Sequence, residues 1–413
     1  MNILFVHQNF PGQFKHLAPA IAADTGHVIK ALHINPGPDV PGVERVPVVP
    51  ARLSTPDVHP WVREFETKVI RGEASYRAAR SLKEQGFQPD IIVAHPGWGE
   101  SLFLADVWPS AKLGLYCEFY YRSEGADVHF DPEFPDDPAI APRLRVKNAI
   151  YEMQMPYAAA GISPTAWQKS TFPAPFSDRI SVIHDGINTD IVKPRPGAGI
   201  HFTRAGKEVR LTRDDEVITF VVRNLEPYRG YHSFMRALPE IMRKRPNAHI
   251  VIVGADGVSY GPPPLPGPNG EVRKGWKEIF LNEVAAELDL RRVHFMGKVS
   301  YQNFLHILNI SSVHVYLTYP FVLSWSLLEA MSSGCAIVGS DTAPVREVID
   351  DGKTGRLVDF FNPGAIAQTV VATLEDKALC AAMGEKARDH ILAHYDLKDI
   401  CLPAQMRWLK SLA

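Results

Sequence analysis

Cysteine is scarce. Cys117, Cys335, Cys380 and Cys401 lie far apart, with no Cys-x-x-Cys and no adjoining histidine pattern. That excludes a disulfide framework and a structural zinc site, and it fits a reducing cytoplasm. Charge of one sign is also missing: 44 Lys and Arg face 46 Asp and Glu, a net charge of -2. A nucleic-acid binder normally shows a basic excess, so no nucleic-acid partner is expected. No apolar run is long enough to span a bilayer. The opening Met1-Asn-Ile-Leu-Phe-Val-His7 lacks a basic stretch and turns polar too early for a secretory signal. No Gly-x-Gly-x-x-Gly follows the first apolar run, which disfavours a dinucleotide site. With no Asp-x-Asp or His/Cys cluster in a suitable loop, no metal is expected. No internal repeat with a period of about 20–50 residues is present.

What is present is a long α/β pattern. At 413 residues, 46% hydrophobic and 22% charged, the chain exceeds one ordinary core, so two globular domains are the default. In the first half Ile3–His7, His27–His33, Pro89–His95, Lys112–Cys117, Gly161–Ser163 and Ile180–Asn188 read as strands. Helices are expected between them, near 14–23, from Pro60 to about Gln85, and over Pro142–Ala158. Strands alternating with helices at this spacing imply a parallel sheet. The long helix after Pro60 carries Arg and Lys on one face, read as solvated, with peripheral membrane contact as the other reading. Residues 36–42 and the acidic stretch 124–137 read as loops, and 191–214 as linker and edge structure. The second half repeats the plan from Glu216–Arg223 through His249–Val253 and Val293–Met296, with a Pro/Gly-rich insertion over 257–275.

The most informative stretch is Val315–Asp341. It reads as a short strand, a loop with Ser324, Trp325 and Ser326, a helix around Glu329, a stop at Gly334 and a second buried strand. Such a unit leaves a helix N-terminus at the carboxyl edge of the sheet, where open α/β folds bind ligands. Free N–H groups there suit a diphosphate, small hydroxyl residues let it approach, and Glu329 is placed to accept from a ribose diol. A plain core unit with Glu329 capping or paired remains equally open on this segment alone.

Leu327-Leu-Glu-Ala-Met-x-x-Gly334 is followed by a strand and by Gly339-Ser-Asp-x-Ala-Pro-x-Arg-Glu-Val-Ile-x-Asp-Gly-x-x-Gly-x-Leu-Val358. Residues 315–358 thereby resemble the donor domain of the family-4 retaining glycosyltransferases, and weaker correspondences cover most of the chain. The resemblance implies the GT-B architecture, an α/β fold of two Rossmann-like α/β/α domains facing across a cleft. Residues 1–188 would form the acceptor-side domain, 189–395 the donor domain, and 396–413 a helix crossing back.

The same resemblance assigns roles residue by residue. In Val222-Arg-Asn-Leu-Glu-Pro-Tyr-Arg-Gly230, Arg229 falls on the family's diphosphate lysine and Asn224 on its arginine, with Arg223 beside it. Arg229 and Arg223 are the expected leaving-group cations; surface ion pairing is the competing reading. Gly297, Lys298 and Val299 are candidates at the nucleotide base, and Ser324, Trp325, Ser326, Glu329 and Asn224 complete the donor set. Gly12 and His95 fall on the acceptor and sugar side, where Glu118 stands in place of the family's histidine. Phe321 occupies the position of the first of the family's two glutamates.

The implied activity is retaining, metal-independent transfer of a hexose-type sugar from a nucleotide diphosphate sugar, a UDP-sugar first. The acceptor would be a saccharide or lipid-linked molecule in polysaccharide or glycoconjugate synthesis, at a cytoplasmic location that includes the inner membrane face. The donor is a co-substrate, and no cofactor is expected. A non-catalytic nucleotide-sugar-binding subunit and a nucleotide-sugar epimerase are the alternatives, separated by whether donor is consumed and what it becomes.

Overall fold

The computed structural model describes residues 1–24, 26–134, 137–204, 206–266 and 275–413. The chain divides into two compact units, residues 1–186 with 397–413, and residues 187–396.

The first unit is built on seven parallel strands: β1 (Asn2–Val6), β2 (Val28–His33), β3 (Val43–Pro47), β4 (Ile91–Ala94), β5 (Lys112–Tyr116), β6 (Ala158–Ser163) and β7 (Ile180–Val182). Their order is β3-β2-β1-β4-β5-β6-β7. β1 is central, its Ile3 paired with Ile29 on one side and Ile91 on the other. Because side chains alternate along a strand, Leu4 and Val6 enter one core with helix Arg63–Glu84, and Ile3 and Phe5 enter the opposite core. Both faces are covered, which is why β1 reads as a continuous apolar run. The last helix, Leu402–Lys410, lies on the Ile3/Phe5 face with Trp408 and Leu409. Gly114 makes room for it: a Cβ there would stand 2.8 Å from both Trp408 and Leu412.

In the second unit an antiparallel hairpin, β8 (Gly199–Arg204) and β9 (Lys207–Thr212), precedes a six-stranded parallel sheet. Its strands are β10 (Val217–Asn224), β11 (His249–Ala255), β12 (Val293–Gly297), β13 (Val313–Tyr316), β14 (Ala336–Ser340) and β15 (Arg356–Val358). The order β12-β11-β10-β13-β14-β15 repeats that of the first six strands of the first sheet. Helix Tyr231–Lys244 buries Tyr231, Phe234, Met235, Leu238 and Ile241, a helical stripe, against β10. Phe234 stacks on Phe220 at 4.6 Å and 7°, a pairing worth about 0.5–1.5 kcal/mol beyond area burial.

Several local expectations shift. The segment after the 36–42 loop contributes a further strand, β3, paired outside β2. The helix expected to reach Ala158 covers Ile140–Glu152 instead, and Ala158 already belongs to β6. Pro156 lacks the N–H that would continue such a helix. The stretch read as linker contains the β8–β9 hairpin. Part of the Pro/Gly-rich insertion, residues 267–274, and residues 135–136 of the acidic loop lie outside the described residues.

Candidate functional site

Each sheet changes winding direction between its first and fourth strands, so loops leaving these neighbours diverge and open a crevice at the carboxyl edge. In both units the candidate residues gather there.

In the second unit the loop after β10 ends in a short 3-10 turn, Pro227–Arg229, closed by Gly230 at φ 66°. A side chain at 230 would meet Leu317 Cβ at 2.3 Å, so glycine is required by both backbone and space. The turn drives Arg229 inward until it is 6% exposed. Its Nη1 donates to Thr318 Oγ1 at 2.8 Å and to the Val322 carbonyl at 3.0 Å, both on the loop after β13. Tyr260 lies over the guanidinium at 4.9 Å. Burial works against the Arg229 charge, yet Tyr316, Tyr260 and the nearby Glu226 hold its pKa above the ordinary value. Among the described residues no carboxylate comes within ion-pair distance of it. A buried cation with no carboxylate in contact is costly, and such a group is poised for an anionic ligand.

Glu226, buried three residues earlier, accepts from the N–H groups of Ser259 at 3.1 Å, Tyr260 at 3.2 Å and Gly261 at 3.4 Å. It thereby holds the segment that places Tyr260 over Arg229. Asn224 donates to Ser259 Oγ at 2.5 Å and supports the same segment. Phe321 is buried in an aromatic cluster, 5.1 Å from Tyr260 and 5.8 Å from Tyr228.

Helix Trp325–Ser332 begins beside this cluster with Ser324 as its N-cap. Ser324 Oγ accepts from the Ser326 N–H at 3.3 Å and lies 2.9 Å from Ser326 Oγ. Glu329, 8% exposed, accepts from the Tyr301 hydroxyl at 2.7 Å. Gly297 ends β12 at φ 62° with open space around it; Lys298 is exposed and Val299 half-buried against the core. Arg223 is exposed near the end of β10, and among the described residues it makes no hydrogen bond or ion pair. Arg229 and Asn224 therefore converge on the Tyr260 segment, while Arg223 stands outside it.

In the first unit, His7 follows β1, His95 follows β4 and Glu118 lies two residues beyond β5. Gly12, at φ 49°, passes under His7 so closely that a Cβ would stand 2.1 Å from the ring. Gln13 reaches from this turn to both groups, its Oε1 2.6 Å from His7 Nε2 and its Nε2 donating to Glu118 Oε1 at 3.2 Å. On the other side His95 Nε2 lies 3.4 Å from Glu118 Oε2. Trp98 stacks on His95 at 3.9 Å and 16°. Burial, with His95 beside it, pushes the His7 pKa down to about 3, so this ring is neutral. Burial raises the Glu118 carboxyl, but His95 and Gln13 outweigh it and hold the group below its usual range. Its side chain keeps 32% exposure.

Gly12, His95 and Glu118 thus share one site. The sequence reading had not singled out His7, Gln13 or Trp98, nor Glu226, Tyr260, Thr318 and Tyr301 in the second unit. A polar residue closing a buried parallel strand was the one signal available for His7; the rest are joined only by tertiary packing.

Residues 25–192 match the family model described as glycosyl transferase family 4 group, and residues 203–390 match that of glycosyl transferases group 1. The chain belongs to the family-4, group-1 glycosyltransferases. It is 25% identical over 214 residues to D-inositol 3-phosphate glycosyltransferase of Corynebacterium efficiens, covering 52% of this chain and 47% of that protein. It is 28% identical over 183 residues to phosphatidyl-myo-inositol mannosyltransferase of Mycolicibacterium smegmatis, covering 43% of this chain and 41% of the relative. The chain thus spans less than half the length of these curated relatives. Among solved structures, sucrose-phosphate synthase from Thermosynechococcus elongatus superposes with a TM-score of 0.72 at 17% identity, over 100% of both chains. Anabaena HepE, solved with UDP and glucose, gives 0.67 at 13% identity, again over 100% of both chains. The fold is GT-B.

Proposed function

We propose that this protein is a retaining glycosyltransferase that moves a sugar from a nucleoside diphosphate sugar, first of all a UDP-sugar, to a saccharide or lipid-linked acceptor, without a metal. The observation that carries the proposal is Arg229, a buried guanidinium at the switch point with no carboxylate in ion-pair range among the described residues. Breaking a sugar–phosphate bond leaves negative charge on the diphosphate, and a preorganised cation is worth most where that charge develops. Family membership gives the reaction class, and HepE, a protein of similar fold, was solved with UDP-glucose.

In this reading Arg229 grips the diphosphate, and the first turn of helix Trp325–Ser332 adds N–H groups once Ser324 yields the Ser326 donor. Glu329 accepts from the ribose with Tyr301 behind it. Glu118 accepts from a hydroxyl of the transferred sugar. Retention needs no protein nucleophile: the anomeric carbon–phosphate oxygen bond breaks, the acceptor oxygen bonds to the same face, and its proton passes to the departing phosphate oxygen. Such a step asks for positioning and charge stabilisation.

A panel of nucleotide sugars, scored for nucleoside diphosphate release and product, tests the reading. The acceptors include polyol phosphates and phosphatidylinositol, following the names of the curated relatives. The expected outcome is UDP release with a new α- or β-glycoside of the donor's own anomeric configuration, insensitive to EDTA. A metal requirement restored by manganese or magnesium would overturn the metal-free proposal. Isomerised donor without glycoside would identify an epimerase, and binding without turnover a non-catalytic subunit.

A further inference from the structure

Glu118 is held by hydrogen bonds that run in one direction, and the direction follows from the backbone. The Asn9 N–H donates to His7 Nδ1 at 2.9 Å, so that nitrogen carries no proton. His7 is neutral in its buried place, and its single ring proton must then sit on Nε2. From there it is donated to Gln13 Oε1 at 2.6 Å. With the carbonyl oxygen of Gln13 fixed towards His7, the amide nitrogen faces Glu118 and donates to Oε1 at 3.2 Å. The second histidine repeats the logic. The Gly97 N–H donates to His95 Nδ1 at 3.3 Å, leaving the proton on Nε2, a buried nitrogen with no hydrogen-bond partner among the described residues, aimed near Glu118 Oε2 at 3.4 Å but outside hydrogen-bond geometry. Trp98 stacked on His95, and Gly12 pressed under His7, leave both rings little freedom to flip.

We propose that His7, Gln13 and His95 are positioning residues that fix the two oxygens of Glu118 as acceptors for a sugar hydroxyl. The proposal rests on the sugar-side role given to Glu118 above. It explains how a carboxylate serves where the family's histidine is missing: the imidazoles come from the ends of β1 and β4 and act through Glu118. His7 makes no contact with Glu118 and works only by orienting Gln13. A hydroxyl of the transferred sugar would donate to the remaining lone pairs and to no other partner in this chain of bonds. Donors lacking that hydroxyl would lose the interaction.

Two measurements test this, and the first needs no substrate. Nitrogen-15 spectra of the full-length protein report histidine tautomers directly. Both His7 and His95 are expected as Nε2–H, and Gln13→Leu is expected to raise the titration midpoint of carbon-13-labelled Glu118. The ionisable groups around that carboxyl are His7, His95, Tyr116 and Tyr151, with Cys117 adjoining in sequence. His7 as the Nδ1–H tautomer, or an unmoved Glu118 midpoint in the variant, would overturn the relay whatever reaction the protein catalyses. The second measurement uses the UDP-sugar that the donor panel identifies. Gln13→Leu and His7→Leu are expected to lower kcat about 10- to 100-fold, the size of a lost hydrogen bond to a charged group, with donor KM little changed. His7→Gln, whose amide nitrogen falls near the Nε2 position, is expected to recover most of that loss. Equal kcat in His7→Leu and His7→Gln would show that His7 only fills space. If the parent turns over no nucleotide sugar, the reaction class is wrong, and the tautomer and titration results still decide the relay.

Discussion

Arg229→Met separates a functional cation from a structural one because the two roles predict opposite balances of stability and rate. The substitution removes the Nη1 bonds to Thr318 at 2.8 Å and Val322 at 3.0 Å. Two bonds from a charged donor are together worth about 3–6 kcal/mol. Against this, a buried ion with no carboxylate in contact carries an effective desolvation penalty of several kcal/mol, which Glu226 only partly offsets and which methionine does not have. The Met stem also fills most of the space under Tyr260, and its sulfur makes a favourable contact with the ring. The two sums nearly cancel, so stability should move by no more than about 2 kcal/mol, a shift in Tm of about 4–8 °C for a unit of this size. Turnover should respond far more. Losing one preorganised charge at the leaving group costs about 10²- to 10³-fold in kcat, with Arg229→Lys recovering part because a point charge remains. Ligand-induced stabilisation gives a second readout. Free UDP at about 100 times Kd raises parent stability by roughly 2.7 kcal/mol, and the Met variant at the same concentration should lose most of that gain. The assays are a thermal melt with and without UDP and a saturating-donor rate. A variant that melts far below the parent would make Arg229 a structural residue. One that turns over at the parent rate would misplace the diphosphate site.

Glu329→Gln keeps an oxygen for the Tyr301 hydroxyl, so the melt should hold while UDP affinity by calorimetry falls about 10- to 100-fold. Unchanged affinity in the folded variant would remove Glu329 from the donor site. Gly12→Ala places a Cβ 2.1 Å from the His7 ring at a φ of 49°, and it should cost more than about 1 kcal/mol in a denaturant midpoint and lower kcat. Parent-like rate and stability would show that His7 yields freely. His314, fully buried on β13, has its pKa pushed down to about 3 by burial. Its stabilising effect as a neutral group is complete above the unfolded value of about 6.5. As pH falls from there towards 3 the unfolded chain binds the proton and the fold does not, so about 1.4 kcal/mol is lost per pH unit. His314→Phe should therefore flatten the acid limb of a stability–pH curve, Thr219 keeping its bond to Ser311. An unaltered slope between pH 6 and 4 would mean that His314 does not contribute to it.

What the amino-acid sequence determined by itself was the class of fold and the family. Parallel strands buried on both faces appear as unbroken apolar runs such as Ile250–Val253, and the helix stripe of Tyr231–Lys244 appears as a period; both are local patterns. The run from Leu327 to Val358 carries enough fixed spacing to name the donor domain before any coordinates. Exposed and weakly apolar elements were not legible: β3 and, apart from the buried Leu211, the β8–β9 hairpin are exposed or half-buried, so pairing with a neighbour decides them. The tertiary structure alone decided how the candidate residues are used. Arg223 and Arg229 are equally cationic in sequence, but only the turn closed by Gly230 carries the second into the core. Gln13 and Glu118 are 105 positions apart and meet because β1 and β5 flank β4 in one sheet. Local chemistry writes propensities into a chain, whereas a site is a set of distances. Those distances come from the order in which strands pair, which no short window of sequence contains.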